Sequence, residues 1–279
     1  MSELLSRPIG IFDSGIGGLT VFRELAARLP RESLLYFGDT ARVPYGPKSP
    51  ETVQRYSREA AALLLSRGVK MIVVACNTAT AHALDVLRRE VPVPVIGVIG
   101  AGARAAVAAT VRGRVGVIGT AGTIGSGAYD LAVRDALRSA RVYAQPCPLF
   151  VPLVEEGMAA HTATRLVAEE YLAPLREVDV DVLILGCTHY PVLQELLANV
   201  MGPAVRLVDS AAETALEVAQ ELEQLDLVNP GSEQPVHQFM VSDLPLRFRE
   251  VGRRFVGDVI GDVERIDIDR YLSAAEPSQ

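Results

Sequence analysis

The chain has 279 residues, 49% of them hydrophobic, with a net charge of −7, three cysteines and no tryptophan. That length and apolar content allow two domains of ordinary size, each with its own core, and they exclude a disordered chain. The acidic balance argues against a nucleic-acid groove, which needs a basic surface. Three cysteines without a C-x-x-C pair or a Cys/His cluster exclude a disulfide framework and a structural zinc site.

Apolar runs such as Val91 to Ile99 are broken by Pro92, Pro94 and Gly97, and none reaches bilayer length. No charged-then-apolar leader opens the sequence, so no membrane partner and a cytoplasmic location are expected. An acidic chain of this kind points to a small-molecule partner.

Taken in order, Ile9 to Phe12 reads as a buried first strand closed by Asp13-Ser14-Gly15-Ile16-Gly17-Gly18. Glycines permit a tight turn, and amides at the start of the helix expected from Leu19 to Leu29 face outward as donors for an anion. The G-x-G-x-x-G spacing of dinucleotide sites is absent. Ser33 to Phe37 gives a second strand, followed after Gly38-Asp39-Thr40 by a long connection, Ala41 to Ser49, that contains Pro44-Tyr45-Gly46. Loops of that length inside α/β units often serve function. Ser49-Pro50 starts a helix through Arg67, with a capping hydroxyl and a proline at the first helical position.

Met71 to Ala75 is a continuous apolar run, the mark of a strand buried on both faces. It ends at Cys76-Asn77-Thr78, and a helix from about Thr78 to Arg89 follows. A strand is expected from Val93 to Ile99. Arg114 to Thr120 then restarts the pattern of Ile9 to Ser14, Arg141-Val142-Tyr143 answers Leu34-Leu35-Tyr36, and Val182 to Gly186 followed by Cys187-Thr188-His189 answers the Cys76 strand. The two cysteines are 187 − 76 = 111 residues apart. The recurrence predicts an internal duplication: two pseudosymmetric α/β halves with parallel sheets flanked by helices, each presenting its carboxyl edge to a shared cleft.

Pro191 leads into an amphipathic segment, Val192 to Leu197, and a helix is expected from Ala211 to about Leu225. The polar stretch Asn229 to Pro235 reads as a loop, and Val236 to Val241, Leu244 to Phe255 and Val263 to Ile268 complete the chain without a chemical signal.

Either cysteine alone reads as a small core residue. Both, however, stand at strand ends before helix starts, where amides and the helix dipole lower a thiol's pKa toward neutrality. Cys147, between two prolines, lacks that context and reads as structural. Two thiols across a cleft suit a dithiol redox pair, part of a metal site, or proton transfer on both faces of one carbon. Asp13 and His189 stand where each either caps a turn or tunes a thiol, and Glu155 and Asp39 are further carboxylates.

The segments Phe12-Asp13-Ser14-Gly15-Ile16-Gly17-Gly18-Leu19, Gly38-Asp39 with Pro44-Tyr45-Gly46, Ala75-Cys76-Asn77-Thr78-Ala79, Gly119-Thr120 with Thr123, Pro152-Leu153-Val154-Glu155 and Gly186-Cys187-Thr188-His189-Tyr190-Pro191 together resemble the glutamate racemase family. The resemblance runs in order from residue 9 to about 210. It implies cofactor-independent interconversion of L- and D-glutamate that supplies D-glutamate for peptidoglycan. It further implies a first α/β domain of 1–97 plus 210–279, a second of 98–209, and an active site between them. On that pattern Cys76 and Cys187 are the acid/base pair, Asp13 assists Cys76, His189 assists Cys187, and Glu155 joins the catalytic group. Ser14, Pro44, Tyr45, Gly46, Asn77, Thr78, Thr120, Thr123 and Thr188 match substrate-contacting positions. No metal or cofactor is implied, and a homodimer is left open.

Overall fold

The computed structural model describes residues 2–274. Ten strands alternate with helices: β1 (Ile9–Asp13), β2 (Leu34–Gly38), β3 (Met71–Val74), β4 (Val95–Gly97), β5 (Arg114–Gly119), β6 (Arg141–Pro146), β7 (Val182–Gly186), β8 (Arg206–Asp209), β9 (Gln238–Val241) and β10 (Val263–Arg265). They form a six-stranded sheet in the order β10-β9-β2-β1-β3-β4 and a four-stranded sheet in the order β6-β5-β7-β8, and all pairings are parallel. Strands β1, β2, β3 and β7 are buried along their whole length, as the unbroken apolar runs of parallel sheets require.

The order β2-β1-β3-β4 in one sheet is repeated by β6-β5-β7-β8 in the other. Register carries the duplication to the residue level. Ile9 pairs with Met71 as Val115 pairs with Val182, so Cys76 and Cys187 follow equivalent strands at equivalent positions. The expected match of Tyr36 with Tyr143 is one residue out. Ile11 pairs with Tyr36 and its equivalent Val117 pairs with Ala144, so Tyr143 projects from the opposite face. Tyr36 is accordingly buried, whereas Tyr143 is part-exposed.

Helix starts follow their sequence signals. Ser49 caps the helix Pro50–Ser66 by accepting from Thr52 N, and Thr120 caps Ala121–Gly125 by accepting from Thr123 N. Two expected boundaries shift. The strand expected to Ile99 stops at Gly97, and Val98 opens the helix Val98–Ala109, whose small residues pack against the helix Ser210–Gln224. Repeated Ala and Gly gave that segment no clear apolar stripe to read. After Cys187 a short 3-10 turn, Tyr190–Leu193, precedes the helix Gln194–Met201, so Pro191 sits in the turn and not in a continuous helix. Among the described residues no helix is long and apolar enough to cross a membrane.

At the amino edge of the first sheet, Lys70 is buried with its Nζ 2.7 Å from Glu32 Oε2 and donating to the carbonyls of Leu5 and Leu227 at 2.7 Å each. Glu32 also accepts from Asn229 N. This pair ties the returning chain to the sheet at the end opposite the cysteines.

Candidate active site

Both cysteines lie where a buried strand meets a turn at the carboxyl edge of its sheet. Cys76 caps the helix Asn77–Glu90, and its Sγ accepts from Ala79 N at 3.4 Å and lies 3.7 Å from Ser14 Oγ. Cys187 Sγ lies 3.9 Å from His189 Nδ1. The thiols are 5% and 6% exposed. Ser14 and His189 both line a cavity of about 400 Å³ whose other walls include Pro44, Gly46, Thr120, Pro152 and Glu155. Each thiol therefore lies behind the cavity wall, against a polar side chain that borders the cavity, one from each half of the duplication.

The glycine turn after β1 is held against the second half by close approach. A Cβ on Gly17 would lie 2.3 Å from Thr188 Oγ1 and 2.5 Å from His189 Nδ1, so only glycine fits. This contact brings Asp13, which is fully buried, to Thr188: its Oδ1 accepts from Thr188 Oγ1 at 3.5 Å and its Oδ2 from Gly15 N at 2.9 Å. Asp13 thus caps the turn and, by the same carboxylate, ties the first half to Thr188 of the second.

The expected drop in thiol pKa is reversed at Cys76. Burial foremost, and the Asp13 carboxylate next, push its pKa up to about 12, outweighing the Ala79 amide and the Ser14 hydroxyl. Burial also pushes Asp13 up, against the opposing pull of His189. The buried Cys147 thiol is pushed up by burial as well, and its carbonyl accepts from the Tyr190 hydroxyl at 2.8 Å.

His189 shows the opposite balance. Burial disfavours its charged form, yet the Cys187 sulfur and the Glu155 carboxylate together raise its pKa to about 10. Its Nε2 donates to Glu155 Oε1 at 2.9 Å, and His189 in turn holds Glu155 below the usual carboxylate range in spite of burial. A ring kept cationic stabilises negative charge on the neighbouring sulfur.

The hydroxyls expected at the site converge across the two halves. Thr78 Oγ1, from the first half, lies 2.8 Å from Thr120 Oγ1 and 3.1 Å from Thr123 Oγ1, and the latter two are 3.0 Å apart. Asn77 Oδ1 accepts from the Tyr129 hydroxyl at 2.7 Å, while its Nδ2 is buried with no partner. Pro44 and Gly46 border the cavity directly. Tyr45, expected as a contact, does not: its side chain is 1% exposed and its hydroxyl donates to Asp39 Oδ2 at 2.5 Å. A buried carboxylate captures the phenol, so Tyr45 anchors the loop. Asp39 also accepts from Arg42 Nε at 2.7 Å and from Ser242 Oγ at 2.9 Å, and Arg42 reaches the buried Glu59.

The stretch beyond residue 236, which carries no chemical signal in sequence, supports the site. Phe255 stands edge-on to the His189 ring with centroids 5.7 Å apart, and Arg254 Nη1 donates to the Glu155 carbonyl at 2.6 Å. Tyr129 was equally silent, because a single tyrosine inside an amphipathic helix reads as core. Among the described residues no group of three or more His, Cys, Asp or Glu side chains is arranged to hold a metal ion.

With this geometry in hand, the chain can be set beside known proteins. Residues 9–218 match the sequence profile of the Asp/Glu/Hydantoin racemase family. A glutamate racemase from Geobacter metallireducens is 53% identical over 263 residues, 94% of this chain and 97% of that protein. The crystal structure of a glutamate racemase from Francisella tularensis in complex with D-glutamate superposes with a TM-score of 0.90 at 40% identity, covering 96% of this chain and all of that one. One from Thermus thermophilus, in complex with β-chloro-D-alanine, gives 0.86 at 46% identity, covering 95% of this chain and 98% of the other. The chain belongs to the Asp/Glu/Hydantoin racemase family and, within it, to the glutamate racemases.

Proposed function

We propose that this protein inverts the α-carbon of glutamate by a two-base proton transfer between Cys76 and Cys187, without a cofactor, and so supplies D-glutamate for peptidoglycan in the cytoplasm. The observation that carries the mechanism is the placement of the two thiols after equivalent strands, β3 and β7, of a duplicated unit whose halves share one cavity. Approximate twofold symmetry directs two such groups at one carbon from opposite sides, which inversion requires.

The proton inventory favours a direction of reading. Cys76 is held protonated by burial, the His189 ring 3.9 Å from the Cys187 sulfur is held in its charged form, and we assign the role of first base to Cys187. In this form Cys187 removes the proton of L-glutamate: its sulfur gains the S–H bond, the Cα–H bond breaks, and the electron pair stays on Cα, spread into the α-carboxylate. Cys76 then gives its proton to the opposite face, leaving D-glutamate and a Cys76 thiolate. Asp13, beside Cys76 and protonatable because of its burial, is placed to relay the proton that restores the starting form.

Substrate carboxylates are assigned to the Thr78, Thr120 and Thr123 hydroxyls, to Asn77 and Thr188, and to the amides near Ser14 and Gly46. Each hydroxyl of the triangle has one proton, now spent on a neighbour, and an anion is the stronger acceptor for it. We assign the hinge of the cleft to the junctions 97/98 and 209/210, between a discontinuous domain of 1–97 plus 210–279 and one of 98–209, so that closure excludes water from the reacting carbon.

The test is circular dichroism of enantiopure glutamate and aspartate incubated with the protein, alongside proton exchange in deuterated water. Glutamate alone should lose its signal, and chelation or omission of pyridoxal phosphate should change nothing. Activity lost on dialysis and restored by either additive would overturn cofactor independence. Cys76→Ala and Cys187→Ala should each abolish racemisation. Elimination from a β-substituted glutamate needs only one base, so Cys187→Ala should keep it for the D analogue and Cys76→Ala for the L analogue. One single mutant acting on both enantiomers would refute the two-base assignment.

A further inference from the structure

Tyr129 lies on the helix Ala128–Ala136 of the second half and carries no role so far. It is 3% exposed, and its surroundings are unusual for a core tyrosine. Its hydroxyl donates to Asn77 Oδ1 at 2.7 Å, across the cleft between the halves, on the residue that follows Cys76. Its ring edge packs on Gly186, the residue that precedes Cys187, where a Cβ would lie 2.9 Å from Tyr129 Cε2. The phenol also borders Gly102, on the helix that enters the second half, where a Cβ would lie 3.5 Å from the phenol oxygen and 3.0 Å from the Cβ of Ser210, which opens the helix that leaves it. One side chain thus touches a neighbour of each thiol and both crossings between the halves.

The hydrogen-bond arithmetic gives this position a consequence. A phenol has one proton. That proton goes to Asn77 Oδ1, the acceptor 2.7 Å away. The carboxamide is planar, so fixing its oxygen fixes its nitrogen. Asn77 Nδ2 is buried and has no partner, and buried polar groups without partners are rare enough to need a reason. A substrate carboxylate fits this nitrogen, since an amide N–H₂ donates to a carboxylate and cannot accept from an ammonium.

We propose that Tyr129 is a positioning residue that locks the Asn77 carboxamide with its N–H₂ toward a substrate carboxylate. The assignment rests on the glutamate reading of the site. Burial keeps the phenol protonated far above neutral pH, so the donor is not lost over any working range. Phenylalanine would fill the same space but leave Asn77 free to turn its oxygen toward the anion. Tyrosine at 129 therefore serves orientation and not only packing.

The experiment is a double-mutant cycle on the full chain, read by circular dichroism of both glutamate enantiomers. Tyr129→Phe should raise KM for L- and D-glutamate by about tenfold, the size of one oriented hydrogen bond, with a smaller change in kcat. In an Asn77→Ala background the same change should alter KM less than twofold, because nothing is left to orient. Equal effects in the two backgrounds, or an unchanged KM with activity lost in proportion to the folded fraction, would overturn the role. Asn77→Asp provides an arm that leaves Tyr129 intact. It keeps an acceptor for the phenol and presents an oxygen where the N–H₂ stood, so KM should rise steeply while the melting temperature holds. Improved or unchanged KM would mean that Asn77 faces the ammonium and would overturn the orientation. A parent protein that exchanges no glutamate proton overturns the reading of the site itself, whereas an active parent with an indifferent Tyr129→Phe overturns only the present assignment.

Discussion

Glu155→Gln isolates what the second carboxylate does for the imidazole. The rise of His189 from 6.5 to about 10 is a preference for the charged ring of roughly 5 kcal/mol. Two groups supply it against the cost of burial, Cys187 through Nδ1 and Glu155 through Nε2 at 2.9 Å. A charge-assisted hydrogen bond contributes about 2 kcal/mol, and the Glu155 side chain is 28% exposed, so screening is modest but real. Glutamine keeps a carbonyl acceptor and loses the charge. The basic limb of the kcat/KM profile should then move toward neutrality by about 1.5 pH units, so that kcat/KM falls by less than about twofold at pH 8 but by roughly 15-fold at pH 10. The fall should be equal for both enantiomers, because an equilibrium constant of one ties the two kcat/KM values together. Stability carries the same signature. The folded pKa is raised, so the contribution of His189 is fully present below 6.5 and is lost as pH rises from there through about 10. The melting temperature of the parent should fall across that window more than that of Glu155→Gln. An unmoved basic limb with only a lower melting temperature would show that the His189–Glu155 contact is a structural clamp and would refute this reasoning.

Gly46→Val should cost activity far more than stability, since a Cβ there meets Thr120 Cβ at 2.8 Å and Gly122 N donates to the Gly46 carbonyl; equal activity per folded molecule would make the loop structural. Arg42→Ala strips Glu59 and Asp39 of their cation and unstacks Tyr56, whose ring centre is 3.9 Å from the guanidinium. KM should rise several-fold as the Pro44-Gly46 wall loosens, and a KM equal to that of the parent would sink the anchoring role. Lys70→Met leaves Glu32 buried without its cation and should destabilise by about 3–5 kcal/mol in urea unfolding. The folded remnant should keep its kcat, because the pair lies at the opposite edge of the sheet from the thiols.

Periodicity and strand-end grammar made much of the fold legible. Unbroken apolar runs located β1, β3 and β7, and the matched Cys-hydroxyl-helix order exposed the duplication before any pairing was known. The one-residue slip at Tyr143 arose because a tyrosine was matched by type, whereas sheet register fixes the face. The helix Val98–Ala109 was missed because small residues buried on several sides have no polar face to give a period. At the site, residues within motifs were readable, Cys76 and Cys187 most directly. Residues that act through tertiary contact were not. Tyr129 reaches Asn77 from 52 positions away, and Arg254 reaches the Glu155 carbonyl from 99. Local rules about helix starts also misjudged Cys76, because burial and Asp13 act over the folded site and outweigh a nearby amide.

The two thiols occupy equivalent places, but their partners do not match. By the duplicated register Asp13 corresponds to Gly119, so the carboxylate beside Cys76 has no counterpart in the second half, and the imidazole beside Cys187 stands where the first half has Thr78. Asp13 adds to the burial that raises the Cys76 thiol, whereas beside Cys187 it is the imidazole that is raised, by the sulfur and by Glu155. Such asymmetry cannot bias the equilibrium between enantiomers, which is fixed at unity in solution. On the proposed mechanism, what it sets is which thiol holds its proton more firmly in the free protein, and burial with Asp13 makes that Cys76. On the proposed mechanism, one turnover from L- to D-glutamate reverses the inventory, and a second L-glutamate waits until protons move back. On that proposal duplication supplies two faces of attack, divergence of the residues around each thiol distinguishes the two forms, and the return step between them is the kinetic event assigned to Asp13 and His189.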